Sequence, residues 1–145
     1  MPTSPSERET EADLADLVMR VARGLRQRGA AVTAPWDLAP HQARALRVVA
    51  RHGQVRPGRI AEHLRVAPRS VTDVIDALEA RGLVERAPDP ADRRATVVSL
   101  TAPGRRLVDA IEEARRTDAR SLFSRLSERD QATLRRILTT LDAAD

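Results

Sequence analysis

Apolar residues follow a helical period over most of the chain, switch once to a β pattern, and then become helical again. Leu14, Leu17, Val18, Val21, Ala22 and Leu25 fall at i, i+3, i+4, i+7, i+8 and i+11, a single stripe that predicts a first helix over 9–30. Its acids (Glu9, Glu11, Asp13, Asp16) precede its arginines (Arg20, Arg23, Arg26, Arg28), the order that complements a helix dipole. Residues 1–8 read as a frayed tail, and Gly29 and Pro35 as the stop. Pro40 opens a second helix with Ala43, Leu46, Val49 and Ala50 inside, ended by Gly53. Pro57 opens a short third, with Ile60, Ala61 and Leu64 inside. After the turn Arg65-Val66-Ala67, Pro68 starts a fourth that buries Val71, Val74, Ile75 and Leu78 and stops at Gly82. Two short helices on so tight a turn read as a helix-turn-helix.

The period then changes. Leu83-Val84-Glu85-Arg86 suits a strand, residues 89–94 are polar and turn-rich, and Ala95–Leu100 is β-branched, so the segment predicts a hairpin. Thr101 is placed to cap a long helix over 102–126, through Leu107, Ile111, Ala114, Leu122 and Leu126, whose polar middle makes it a connector. Ser127 to Asp130 resembles a capping box, and the last helix offers Leu134, Ile137, Leu138 and Leu141.

Composition narrows the function. One hundred and forty-five residues suit a single domain with its own core. There is no Cys, which excludes disulfides, thiolate zinc and a thiol nucleophile within this sequence. No apolar run is long enough to span a bilayer. The N-terminus is acidic, unlike a secretory signal, so a cytoplasmic location without membrane partners is expected. All 25 basic residues are Arg, and net charge is +4. Residues 38–101 hold eleven Arg against seven acids, so the whole excess sits in the middle. A basic centre between neutral ends suggests a nucleic-acid footprint.

The chemistry of the centre agrees. The exposed positions of the fourth helix include Arg69, Ser70, Thr72 and Asp73, and Arg, Ser and Thr are types that reach base edges or phosphates in a major groove. Asp73 would repel phosphate; it could accept from cytosine or hold Arg69 one turn away. At the hairpin tip, Arg93 and Arg94 suit a minor groove, where narrow width concentrates negative potential, and Asp92 could clamp a guanidinium. The plainer readings are an amphipathic helix pair and a solvated tip.

These residues carry a resemblance. Leu38-Ala39-Pro40-His41-Gln42, Arg59-Ile60-Ala61-Glu62-His63-Leu64, Ser70-Val71-Thr72, the run from Leu78 to Arg86, Asp89-Pro90-Ala91-Asp92-Arg93-Arg94, and Ser99 to Gly104 together resemble the MarR-type winged-helix transcriptional regulators. The resemblance implies a mainly α fold with a small β-hairpin wing. One domain, 1–145, would hold a winged helix-turn-helix lobe at 38–101 and dimerisation helices at 9–30 and 102–145. It implies a homodimer on a pseudo-palindromic double-stranded operator, with residues 68–81 as recognition helix and Arg94, beside Asp92, in the minor groove. Asp73 departs from the basic or neutral polar residue many relatives carry there, and the lack of Cys makes thiol-based induction unexpected. Burial of the terminal stripes across a two-fold axis, through Leu14, Leu17, Val21, Leu134, Ile137, Leu138 and Leu141, would set two recognition helices about 34 Å apart. Otherwise the stripes pack on each other within one chain.

Other candidates are weaker. Relatives often bind small anionic or aromatic effectors between the dimer helices and the DNA-binding lobe, where Trp36, His41 and Arg44 fall; a lone Trp is also a common packing anchor. His41, His52 and His63 lie on different helices without a ligand spacing, so no metal or other cofactor is expected. No nucleophile triad or phosphate-cradling loop appears, so no catalytic residue is expected. The leading expectation is a dimeric, effector-relieved repressor. The alternatives are a non-specific architectural DNA binder, and an enzyme or anion-binding protein on the same fold.

Overall fold

The computed structural model describes the backbone of residues 5–143 and the side chains of residues 13–143. The elements run α1 (Pro5–Thr33), a 3-10 turn (Ala34–Trp36), α2 (Pro40–His52), β1 (Gln54–Val55), α3 (Pro57–Leu64), α4 (Pro68–Ala80), β2 (Val84–Pro88), β3 (Thr96–Leu100), α5 (Ala102–Phe123) and α6 (Glu128–Asp142). Of the expected tail, residues 5–8 are helical, while 1–4 and the side chains of Glu9 and Glu11 lie outside the described residues. Gly29 does not stop α1. The helix continues to Thr33, whose Oγ1 donates to the Ala30 carbonyl at 3.0 Å, and Pro35 falls inside the 3-10 turn that follows.

The stops of α3 and α4 share one hydrogen-bond pattern. Leu83 N–H reaches the Leu78 carbonyl at 3.0 Å and Gly82 N–H reaches Glu79 at 2.8 Å, with Gly82 at φ 68°. Val66 and Arg65 bond Ala61 and Glu62 in the same way, Arg65 at φ 55°. A left-handed residue at this point satisfies the helix's last carbonyls and turns the chain sharply. That is how a three-residue turn sets α4 against α3.

The three strands form an antiparallel sheet in the order β1-β3-β2, with Val55 opposite Val98 and Val84 opposite Leu100. β1, two residues long, has no periodicity to announce it. One core joins α2, α3, α4, the sheet and the start of α5; Leu46, Ile60, Val71 and Val98 are fully buried. Each such side chain contributes about 1.5–3 kcal/mol. Exposed ion pairs such as Arg59–Glu62 contribute about 0–1 kcal/mol, so apolar burial holds the helix-turn-helix together. On α2 the buried positions are Ala43, Ala45, Leu46 and Val49; Ala50, expected inside, is exposed, because contact with the sheet rotates the buried face toward Ala45.

The terminal helices are different. α1 lies along α5, joined by Arg28, whose Nε and Nη2 donate to the Asp118 carboxylate at 3.0 and 2.8 Å. Ser127 caps α6 by accepting from Asp130 N–H at 3.1 Å, and its hydroxyl bonds the Asp130 carboxylate at 2.7 Å. The expected burial of Leu134, Ile137, Leu138 and Leu141 does not occur within one chain, because α6 has no buried residue. Among the described residues α6 has no extensive contact with α1, so the two stripes do not bury each other inside a protomer. Among the described residues no helix is long and apolar enough to cross a membrane.

Candidate nucleic-acid interface

α4 presents two faces. Val71, Val74, Ile75 and Leu78 point into the core, which leaves Arg69, Ser70, Thr72 and Asp73 exposed, as the periodicity requires. Of the two readings of Asp73, the pair with Arg69 is not made among the described residues; Thr72 Oγ1 leans back toward the Pro68 carbonyl at 3.4 Å. Asp73 therefore keeps its acceptor oxygens free for a partner outside the chain.

The wing is held at two points, and the end of α4 at a third. Arg86 on β2 donates to Asp76 Oδ1 at 2.5 Å and to Glu79 Oε2, both on α4. Arg56, just before α3, donates through Nε to Asp89 at the wing root at 2.7 Å. Arg81, at the end of α4, donates to the Trp36 and Asp37 carbonyls at 2.7 and 2.8 Å. Arg86 thus ties the wing to the recognition helix and Arg56 ties its root to the start of α3, while Arg81 ties α4 to the 3-10 turn. Sequence reasoning missed them: Arg56 and Asp89 are 33 positions apart and no local pattern links them.

Asp89 also organises the tip. It accepts from Ala91 N–H at 2.9 Å, while its own N–H and carbonyl bond Ala95 and Asp92. The Ala91 amide and then the Arg56 guanidinium hold its carboxyl below the usual aspartate range. An unfolded aspartate titrates near about 4. The interaction therefore contributes in full above that value and fades as pH falls through the lower folded one. Asp89→Asn is expected to destabilise the protein at pH 7, with the gap to the parent closing below about pH 4. Paired chemical denaturations across pH test this; a pH-independent gap contradicts it.

Asp92 departs from expectation. It clamps no guanidinium; its Oδ1 accepts the backbone N–H of Arg94 at 3.1 Å, because an aspartate reaches the amide two residues on more readily than a distant side chain. Arg93 and Arg94 are exposed and make no ion pair among the described residues. The tip thus carries two free guanidiniums on a backbone pinned by Asp89 and Asp92.

The residues named for an effector do not share one cavity. Trp36 packs against the core. His41 lines a groove with Ser70, Asp73 and Val74. Arg44 borders a cavity of about 540 Å³ between α1, α2 and α5, with Arg26, Arg47 and Arg115. Arg115 Nε is buried there without a hydrogen-bond partner among the described residues. No cluster of three or more metal-ligating side chains forms among the described residues.

Comparison with known proteins agrees with this geometry. The family model described as MarR family matches residues 36–95. An HTH-type transcriptional regulator of Mycobacterium tuberculosis is 36% identical over 130 residues, covering 90% of this chain and 88% of that protein. A protein of the same organism named an HTH-type transcriptional repressor is 31% identical over 131 residues, covering 90% and 94%. A MarR family protein from Bacillus stearothermophilus superimposes with a TM-score of 0.86 at 26% identity, over 94% of this chain and 96% of that one. A MepR mutant from S. aureus bound to an oligodeoxyribonucleotide has the same fold, with a TM-score of 0.68 at 23% identity over 90% and 96%.

Proposed function

Because the chain belongs to the MarR family of DNA-binding transcriptional regulators, we propose that it is a homodimeric, sequence-specific repressor acting in the cytoplasm on a pseudo-palindromic operator. The observation that carries this reading is the free face of α4 beside a pinned wing with two unpaired arginines. Arg69, Ser70, Thr72 and Asp73 would read base edges in the major groove, with Asp73 accepting from a donor such as cytosine N4. Arg93 and Arg94 would enter the flanking minor grooves. Repression is supported by the relative named a repressor.

Dimerisation is supported by where apolar surface is left over. Among the described residues every exposed large apolar side chain except Val66 lies on α1, on α6 or in the turn before α6. Exposed apolar area concentrated in this way marks an interface. A small anionic effector would suit the cavity between α1, α2 and α5. Its four arginines and the orphaned Arg115 Nε offer donors, and a ligand there would bias the angle between dimer helices and DNA-binding lobe.

The test is titration against the protein's own upstream DNA and a scrambled duplex of equal length, at two salt concentrations. A large specificity ratio is the expected result; equal, steeply salt-dependent binding to both would point to an architectural binder instead. Arg94→Ala is expected to weaken operator binding roughly 10- to 100-fold for each of the two wings, the loss of one charge-assisted contact in each. Since its side chain is exposed and makes no hydrogen bond or ion pair among the described residues, thermal stability is expected to stay unchanged. Undiminished operator affinity in this variant would remove Arg94 from the interface.

A further inference from the structure

α2 carries a basic site apart from the exposed face of α4 and the hairpin tip. Arg44, Arg47 and Arg51, spaced i, i+3 and i+7, border an open cavity of about 190 Å³. His52, at the end of α2, and His63, near the end of α3, close its far side. Their rings lie 4.9 Å apart between centroids, tilted by 37°. Val48 and Leu64 also line the cavity.

No carboxylate lines it. Arg44 Nη2 donates to the Leu64 carbonyl at 3.2 Å, which anchors that guanidinium to the end of α3. Arg47 meets Glu112 of α5 at 3.5 Å, a long pair outside the cavity. Arg51 has no acidic partner among the described residues. Five donor-bearing side chains therefore converge on one space without an acidic group. Two neighbouring imidazoles invite a metal, but three guanidiniums beside them repel a cation. The same arrangement suits an anion: guanidinium forks pair two donors with two oxygens, and each imidazole adds another N–H.

We propose that this cavity binds a small tetrahedral oxyanion, a phosphate group, bridging α2 and α3. The site does not depend on the operator reading, and is distinct from the cavity between α1, α2 and α5, although Arg44 and Arg47 border both. Phosphate could come from solution or from a nucleic-acid backbone, and the structure favours the former. Five donors around an open concave space of this small size match a compact free anion better than one edge of a polymer.

The experiment follows the imidazole NMR signals of the full-length protein during titration with inorganic phosphate, ionic strength and pH held constant. His52 and His63 are expected to shift together and saturably, while His41, which lines a different groove, stays still. Arg51→Gln is expected to weaken that response roughly tenfold with the fold intact by circular dichroism. A response that is linear in phosphate, shared by His41, or unchanged in Arg51→Gln would overturn the proposal. A second titration uses duplex DNA. If DNA but not phosphate moves the two signals, and Arg51→Gln lowers DNA affinity, the site is a backbone contact and the free-anion assignment is wrong.

Discussion

Gly104→Ala is expected to destabilise the protein by about 3 kcal/mol or more, a larger effect than from any surface charge. A Cβ at Gly104 would sit 1.9 Å from the Leu83 carbonyl oxygen and 2.9 Å from its carbon. Both are backbone atoms, so no side chain can swing aside. That carbonyl also accepts the Thr101 N–H at 3.1 Å. Thr101 Oγ1 donates to the Gly82 carbonyl at 2.6 Å and accepts from Gly104 N–H. The end of α4, the start of β2 and the first turn of α5 thus meet around one residue without a side chain. Relief of the clash would lift α5 from the sheet and break the two bonds from Thr101 to Gly82 and Leu83. At this chain length the loss corresponds to roughly 10 °C in Tm. Gly58→Ala serves as the control, since a Cβ there meets nothing within 4 Å. Thermal unfolding of both decides the point: equal stabilities would mean that the junction yields freely.

The second large effect is expected at the leftover apolar face. Leu138→Glu replaces a side chain that is 48% exposed within one protomer, so the protomer should fold normally. Across a two-fold axis the change is made twice. At about 0.7–1.5 kcal/mol for the half of each leucine left to bury, the dimer would weaken by about 1.4–3 kcal/mol from lost burial, roughly 10- to 100-fold in Kd, and further by the charge placed in the interface. Sedimentation equilibrium reads the mass directly. Operator binding is expected to fall in parallel, because each lobe alone reads only a half-site. A variant that keeps the dimer mass would place the interface elsewhere, and one that loses the dimer but keeps full operator affinity would contradict two-lobed recognition.

Much of the site was legible in the residues. The helical period of 68–80 told which positions of α4 face outward, since burying Val71, Val74, Ile75 and Leu78 leaves Arg69, Ser70, Thr72 and Asp73 no other side. The polar, Pro-containing stretch before a β-branched run announced a hairpin with Arg93 and Arg94 at its tip. Local chemistry also foretold the Thr101 cap and the Gly82 stop, because each needs only neighbours a few residues away. Asp92 shows the limit even at short range: its carboxylate was expected on a side chain and is found on an amide.

What the tertiary structure alone decided is whatever joins residues distant in sequence. The Arg56–Asp89 and Arg86–Asp76–Glu79 bridges, the clash awaiting a side chain at Gly104, and the meeting of His52 with His63 all depend on how elements cross. The two-residue strand β1 exists only because β3 is there to pair with it. The sequence by itself determined the order of helices and the wing, the outward face of α4 and the family resemblance, because periodicity, capping and turn chemistry act within a few residues. Wing angle, cavities and the openness of α6 needed the folded chain, because burial and charge pairing are set by distance in space rather than along the sequence.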